Sequence, residues 1–222
     1  MRDQLDGWAT AGFTAVKIKV GEDHGARLAR DTSRVRQARA ALGPHIDLFV
    51  DANGAYGAQQ AINWWRNLHD SGAQVTWFEE PVSSDDLAGL ARVRDAVGAD
   101  VTAGEYGYDL TYFGRMLAAE AVDCLQVDVT RCGGITEWLR IAAVAASRHL
   151  DVSGHCAPHA HAAVAAATPN LRHLEWFHDH TRIESLLFDG ATEAVNGTLT
   201  LTDAPGNGLT LRRHRAEQFR VS

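Results

Sequence analysis

Cysteine is scarce in this chain: three among 222 residues, Cys124, Cys132 and Cys156. The number is odd and no pair has C-x-x-C spacing, so a disulfide framework and a zinc ribbon are excluded and reduced, partly buried thiols are expected. Positive charge is not in excess either. Lys plus Arg number 21 against 28 Asp plus Glu, for a formal charge of −7, and there is no basic run. That leaves no electrostatic footprint for a nucleic acid or an anionic membrane. No stretch reaches 18 consecutive apolar residues, and the opening MRDQLDGWATAG has neither the basic start, the apolar run nor the cleavage-like site of a leader. A cytoplasmic protein acting on small molecules is the expectation. No G-x-G-x-x-G follows any candidate strand, which argues against a doubly wound dinucleotide fold.

What is present is an alternation. With 45% hydrophobic and 22% charged residues the chain has the means to bury a sizeable core. Short apolar or β-branched runs at Ala15 to Val20, Ile46 to Asp51, Val75 to Glu79, Val101 to Gly104, Val122 to Asp128, Asp151 to His155 and Arg172 to Trp176 read as buried strands. Between them lie stretches of helical spacing: His24 to Leu42 with Leu28, Val35 and Leu42, and Gly133 to Leu150 with Trp138, Ile141, Val144 and Leu150. The pattern predicts an α/β protein of the TIM-type (β/α) barrel kind. The chain begins with a helix, Arg2 to Ala11, before the first recognisable strand, so the barrel is expected to lack one of its eight strands. Residues 1–186 are read as the incomplete catalytic barrel. The tail from 187 to 222, with VNGTLTLTDAPGNGLTL, is read as a hairpin-like excursion.

In a barrel of this type the site lies at the carboxyl ends of the strands, and nearly every strand here ends in an ionisable residue. Asp51, Glu79 and Glu105 come from three successive strands and are hard oxygen ligands suited to Mg²⁺. Lys17 and Lys19 share a strand face because side chains repeat every two residues; mutual repulsion and burial should depress an ammonium pKa, making one a general base. His155 and Asp128 end neighbouring strands, so that a hydrogen bond between them would set the imidazole tautomer. Asn53 closes the same strand as Asp51, and Glu175 closes the seventh. His159 and His161 resemble a metal-binding pair but fall beyond a strand end, at a helix start, and are not read as ligands. Trp64, Trp65 and Trp77 are read as packing residues, and Gly133 to Thr136 as a weak anion-cradle signal.

Seven motifs in order carry a resemblance: AVKIKVG, VDANGAY, WFEEP, AGEYGYD, LQVDVTRCGGIT, SGHCAP and HLEWF. Together they resemble the barrel domain of the enolase superfamily, in its mandelate racemase-like branch. The resemblance implies Asp51, Glu79 and Glu105 as Mg²⁺ ligands, Lys19 as the base on one substrate face and His155, supported by Asp128, as acid or base on the other. Lys17 would assist Lys19 and meet the substrate carboxylate, Glu175 would hydrogen-bond that carboxylate as a protonated acid, and Asn53 would contact substrate. The implied chemistry is removal of the proton next to a carboxylate through an enediolate, with dehydration of an acid sugar favoured over racemisation or epimerisation of a 2-hydroxy acid. It also implies a small-molecule carboxylate as partner, assemblies of identical subunits, and an N-terminal α+β capping domain that this sequence lacks, so the tail from 187 would pack on a missing cap. Two further readings stay open: an inactive metal-binding remnant, and an unrelated Schiff-base aldolase using Lys19, which needs no metal.

Overall fold

A computed structural model describes residues 1–221. Strands and helices alternate: α1 (Arg2–Thr10), β1 (Ala15–Lys19), α2 (Leu28–Leu42), β2 (Asp47–Asp51), α3 (Ala58–Asp70), β3 (Val75–Glu79), α4 (Leu87–Arg94), β4 (Asp100–Ala103), α5 (Leu110–Ala118), β5 (Cys124–Val127), α6 (Ile135–Ala146), β6 (Asp151–Gly154), α7 (Pro158–Ala166), β7 (Leu171–Leu174) and α8 (His178–Leu187). Every strand expected from the sequence is present within two residues of its expected ends. The helix expected from His24 begins only at Leu28, because Asp23, His24 and Gly25 have positive φ and turn the chain first. Among the described residues no helix is long and apolar enough to cross a membrane.

The chain divides into two compact units, Met1–Gly104 with Thr111–Leu125, and Glu105–Leu110 with the chain from Gln126 onward. In the first unit β1 to β4 and the start of β5 pair in chain order, all parallel. Register decides what the strand ends present. Lys19 lies opposite Asp51, Asp51 opposite Glu79, and Glu79 opposite Thr102. Facing residues of parallel strands point to the same side, so the polar strand ends fall into one row while Val16 and Ile18 turn the other way and are buried. There they meet the helices. Val35, Ala38 and Leu42 of α2 and Ala61, Trp64, Trp65 and Leu68 of α3 are buried at helical spacing, and Phe78 takes Trp64 at 5.6 Å and Trp65 at 6.2 Å between ring centroids. The tryptophan pair is therefore packing, as expected.

Gly21 closes β1 at φ +80°, and a Cβ there would stand 2.6 Å from that of Ala55, so only glycine lets the two loops pass. Its amide donates to the carboxylate of Asp31, which also accepts from the Tyr56 hydroxyl at 3.0 Å. Burial, followed by the charge of Asp31, raises the Tyr56 pKa.

In the second unit β6 pairs parallel with β7, and the His155 amide donates to the Val127 carbonyl at 2.9 Å. Trp138, Ile141, Ala142 and Ala145 bury one face of α6, and the Trp138 indole donates to Thr168 Oγ1 at 2.9 Å. The tail departs from its expected hairpin. Its two alternating runs do not pair with each other; β8 (Phe188–Asp189) pairs antiparallel with β9 (Thr210–Leu211). A Cβ on Gly190 would lie 2.0 Å from the Gly208 carbonyl oxygen, so these two glycines allow a backbone approach that aligns the segments next to them. Arg212 secures the pairing, donating to Asp189 at 2.7 Å and to the Ser185 carbonyl at 2.9 Å.

Candidate active site

In the first unit the row of strand ends forms a charge-paired cluster. Asp51 and Glu79 are fully buried, and the cost of burying two carboxylates is offset by two ammonium groups. Lys17 Nζ donates to Glu79 Oε1 at 2.6 Å and lies 3.9 Å from Asp51 Oδ2. Lys19 pairs with Asp51 and donates to Asn53 Oδ1 at 2.9 Å. Asn53, at φ +44°, turns back so that its own amide donates to Asp51 Oδ1 at 2.8 Å. The Trp77 indole donates to Glu79 Oε2 at 3.0 Å, giving that tryptophan a polar task beyond packing.

The pKa of Lys19 is raised rather than lowered. Burial and the charge of Lys17 pull it down, as the sequence reading anticipated, but the contact and charge of Asp51, with Glu79 behind it, outweigh them. Chain spacing showed the second lysine and could not show that a carboxylate one strand away is its direct partner.

The second unit holds a dyad. Asp128 Oδ2 accepts from His155 Nδ1 at 2.9 Å, while Oδ1 accepts from the Thr130 amide at 2.8 Å and the Thr130 hydroxyl at 2.7 Å. Burial opposes the charge on Asp128, yet the hydrogen bonds from His155 and Thr130 prevail and hold its pKa at about 2. An ionised Asp128 keeps the imidazole proton on Nδ1 and leaves Nε2 to do chemistry. Nε2 faces Glu105 Oε2 at 3.3 Å and Cys156 Sγ at 3.2 Å. Glu175, half-buried at the end of β7, accepts from the Cys156 amide at 2.8 Å. Glu105 itself stands two residues past the end of β4 and is buried.

Arg131 escaped the sequence reading. Its guanidinium lies 3.5 Å from Asp128 and 3.8 Å from Glu105 and donates to the Glu105 carbonyl at 3.1 Å, so it supports two carboxylates at once. Only its position three residues after a strand-end aspartate hinted at this. His159 and His161 are not brought together as a pair of ligands. His161 Nε2 accepts from the Val129 amide at 2.9 Å, and burial lowers its pKa. His159 pairs with Glu184 at 2.6 Å and reaches the Thr192 backbone, which ties the tail to α7. The three cysteines are buried and none is in a disulfide, as expected.

A family model described as enolase C-terminal domain-like matches residues 1–215, and the chain belongs to that family. A solved mandelate racemase/muconate lactonizing enzyme-like protein from Rubrobacter xylanophilus is 44% identical, with a TM-score of 0.90 over 98% of this chain and 59% of its own. The α/β barrel class expected from the alternation is thus the fold of this chain. The D-galactarolactone cycloisomerase of Agrobacterium fabrum is 31% identical over 95% of the chain and 57% of its own length. The arabinonate dehydratase of Saccharolobus solfataricus is 28% identical over 99% of the chain and 59% of its length. The chain therefore spans less than two thirds of these relatives. Other relatives include a further sugar-acid dehydratase and an epimerase, and several similar structures hold magnesium, one of them with mandelic acid.

Proposed function

We propose that this chain carries the catalytic residues of a Mg²⁺-dependent hydro-lyase that dehydrates an acid sugar. The observation that carries the reading is the strand-end row, in which a lysine stands in register beside buried carboxylates, Lys19 by Asp51 and Asp51 by Glu79. Asp51, Glu79 and Glu105, following three successive strands, are the residues that would hold Mg²⁺. Their chemistry fits: all are oxygen donors, and Asp51 and Glu79 are buried where cationic charge, here that of Lys17 and Lys19, already sits against them. When bound, the ion supplies positive charge to the substrate carboxylate as negative charge builds on it.

The side chains do the rest. Lys19, once its own proton has been released to solvent, takes the proton next to the carboxylate, and Lys17 and Asn53 orient that carboxylate. Glu175, as a protonated acid, hydrogen-bonds it while an enediolate forms. The C3–oxygen bond then breaks, and His155, in its imidazolium form with a second proton on Nε2, delivers that proton so that the hydroxyl leaves as water. The remaining enol becomes a 2-keto acid by tautomerisation. Asp128 holds the imidazole orientation this step requires, and the relatives that dehydrate sugar acids support the choice. In this reading residues 1–186 carry the chemistry and 187–222 meet a capping domain.

With bases assigned to both substrate faces, racemisation or epimerisation is the second reading. The test is incubation with Mg²⁺ and a panel of sugar acids and 2-hydroxy acids in D₂O, followed by NMR. Formation of a 2-keto-3-deoxy acid is expected. Deuterium at the α-carbon with no loss of water would overturn dehydration in favour of racemisation.

A further inference from the structure

We propose that His155, Cys156 and Glu175 form a binding site for a soft divalent transition-metal ion of the Zn²⁺ class, separate in chemistry from the all-carboxylate set assigned to Mg²⁺. One ligand atom from each residue lies within 4.8 Å of the other two, and all three belong to the second unit. Nitrogen, sulfur and oxygen together suit zinc or cobalt, whereas Mg²⁺ takes oxygen alone.

Two features of the backbone and side chains make this more than proximity. On an extended strand Cys156 would point away from His155, since successive side chains alternate. Instead Cys156 has φ +50° and Ala157 φ +34°, a left-handed turn that is costly for residues with a Cβ and that brings Sγ to 3.2 Å from His155 Nε2. The second feature is Asp128, which accepts from Nδ1 and so leaves the Nε2 lone pair as the donor; a carboxylate behind a histidine is the usual support of a zinc ligand. The Cys156 amide meanwhile holds Glu175 Oε2 at 2.8 Å, fixing the third ligand. Donors at ~2.0–2.3 Å from a tetrahedral ion lie up to roughly 4 Å apart, so the three close on it by small side-chain rotations, with a fourth position left for water. An ion here occupies the lone pair that His155 needs for proton transfer, so occupancy and turnover exclude each other. That consequence rests on the function proposed above, and the site itself does not.

The test is spectroscopic. The folded chain, with Mg²⁺ in excess, is titrated with Co²⁺. One equivalent is expected to produce a thiolate-to-cobalt charge-transfer band and tetrahedral visible absorption, both bleached by Zn²⁺. Cys156→Ser and His155→Asn abolish the thiolate band, Cys132→Ser and Asp51→Asn retain it, and Asp128→Asn weakens binding by roughly 10- to 100-fold. Folding of each variant is checked by far-ultraviolet circular dichroism. Alkylation of Cys156, located by peptide mass, provides a measurement without substitution: Zn²⁺ should slow it. Absence of the thiolate band in the unsubstituted chain, its persistence in Cys156→Ser, or alkylation unaffected by Zn²⁺ overturns the proposal. None of these readouts involves turnover, so failure here leaves the dehydration reading standing, and failure of dehydration leaves this site standing.

Discussion

The two units end their strands in opposite electrostatic arrangements. In the first, two ammonium groups are pressed against two buried carboxylates, and the result is a charge-paired cluster whose lysine is held protonated. In the second, a single imidazole is oriented by a carboxylate kept ionised at about pKa 2 by its hydrogen bonds. Buried charge is tolerated at Asp51, Glu79 and Asp128 because each carboxylate has hydrogen-bond or ionic partners. The difference lies in what the partner does: in one unit it neutralises, in the other it sets a tautomer. In the proposed role Lys19 must release its own proton and leave Asp51 before it can accept another, whereas the ring of His155 is already oriented.

The strongest way to break this contrast is to remove the side chain proposed as acid or base from each unit. Lys19→Met and His155→Asn should each lower dehydration by roughly 100- to 10,000-fold, the span of general acid–base catalysis. In D₂O, Lys19→Met should also stop exchange of the α-proton from the face it serves while His155→Asn leaves that exchange running. Equal loss of exchange in both variants would erase the division of labour between the units.

Next in size is the effect of the cation. Mg²⁺ at about 100 times its dissociation constant should stabilise the chain by roughly 2.7 kcal/mol in a thermal or urea melt. Asp51→Asn or Glu79→Gln should abolish that gain, and a shift that persists in both would place the ion elsewhere. Smaller again is the loss of a single buried donor. Trp77→Phe leaves Glu79 Oε2 without its indole partner and should cost about 1–3 kcal/mol in urea melts; an unchanged midpoint would show that this hydrogen bond contributes nothing net.

The smallest effect is a pH dependence confined to the second unit. The hydrogen bond and charge of Glu184 raise the His159 pKa above its ordinary 6.5, against the opposing effect of burial. A raised folded-state pKa stabilises the protonated form, so its contribution is fully present below 6.5 and is lost as pH rises through the raised value. The excess stability of the unsubstituted chain over Glu184→Gln in urea melts should fall across that window, and an excess that rises with pH would reverse the assignment.

Much of the site was legible because its residues close strands of strong apolar pattern. Asp51, Glu79, Asp128 and His155 could be placed at strand ends from the sequence, and within each unit the pairing then set Asp51 beside Glu79 and Asp128 beside His155. Other features were hidden for identifiable reasons. The raised pKa of Lys19 depends on a cross-strand contact whose strength spacing does not convey. Arg131 acts through a long side chain folded back from a loop. The tail pairing of Phe188–Asp189 with Thr210–Leu211 depends on a close approach of Gly190 and Gly208, which lie far apart in sequence.

By itself the sequence determined the alternation of helix and strand, the faces each buries, and which ionisable residues close the strands, since these follow from periods of 3.6 and 2 that act over a few residues. Only the tertiary structure decided which partner each of those charges meets. Cys156 is the sharpest case: an unremarkable buried thiol in the sequence, it is turned toward His155 by a left-handed backbone that the packing around it maintains. Partner choice and backbone strain are settled by contacts between segments distant in the chain, and local pattern carries no record of them.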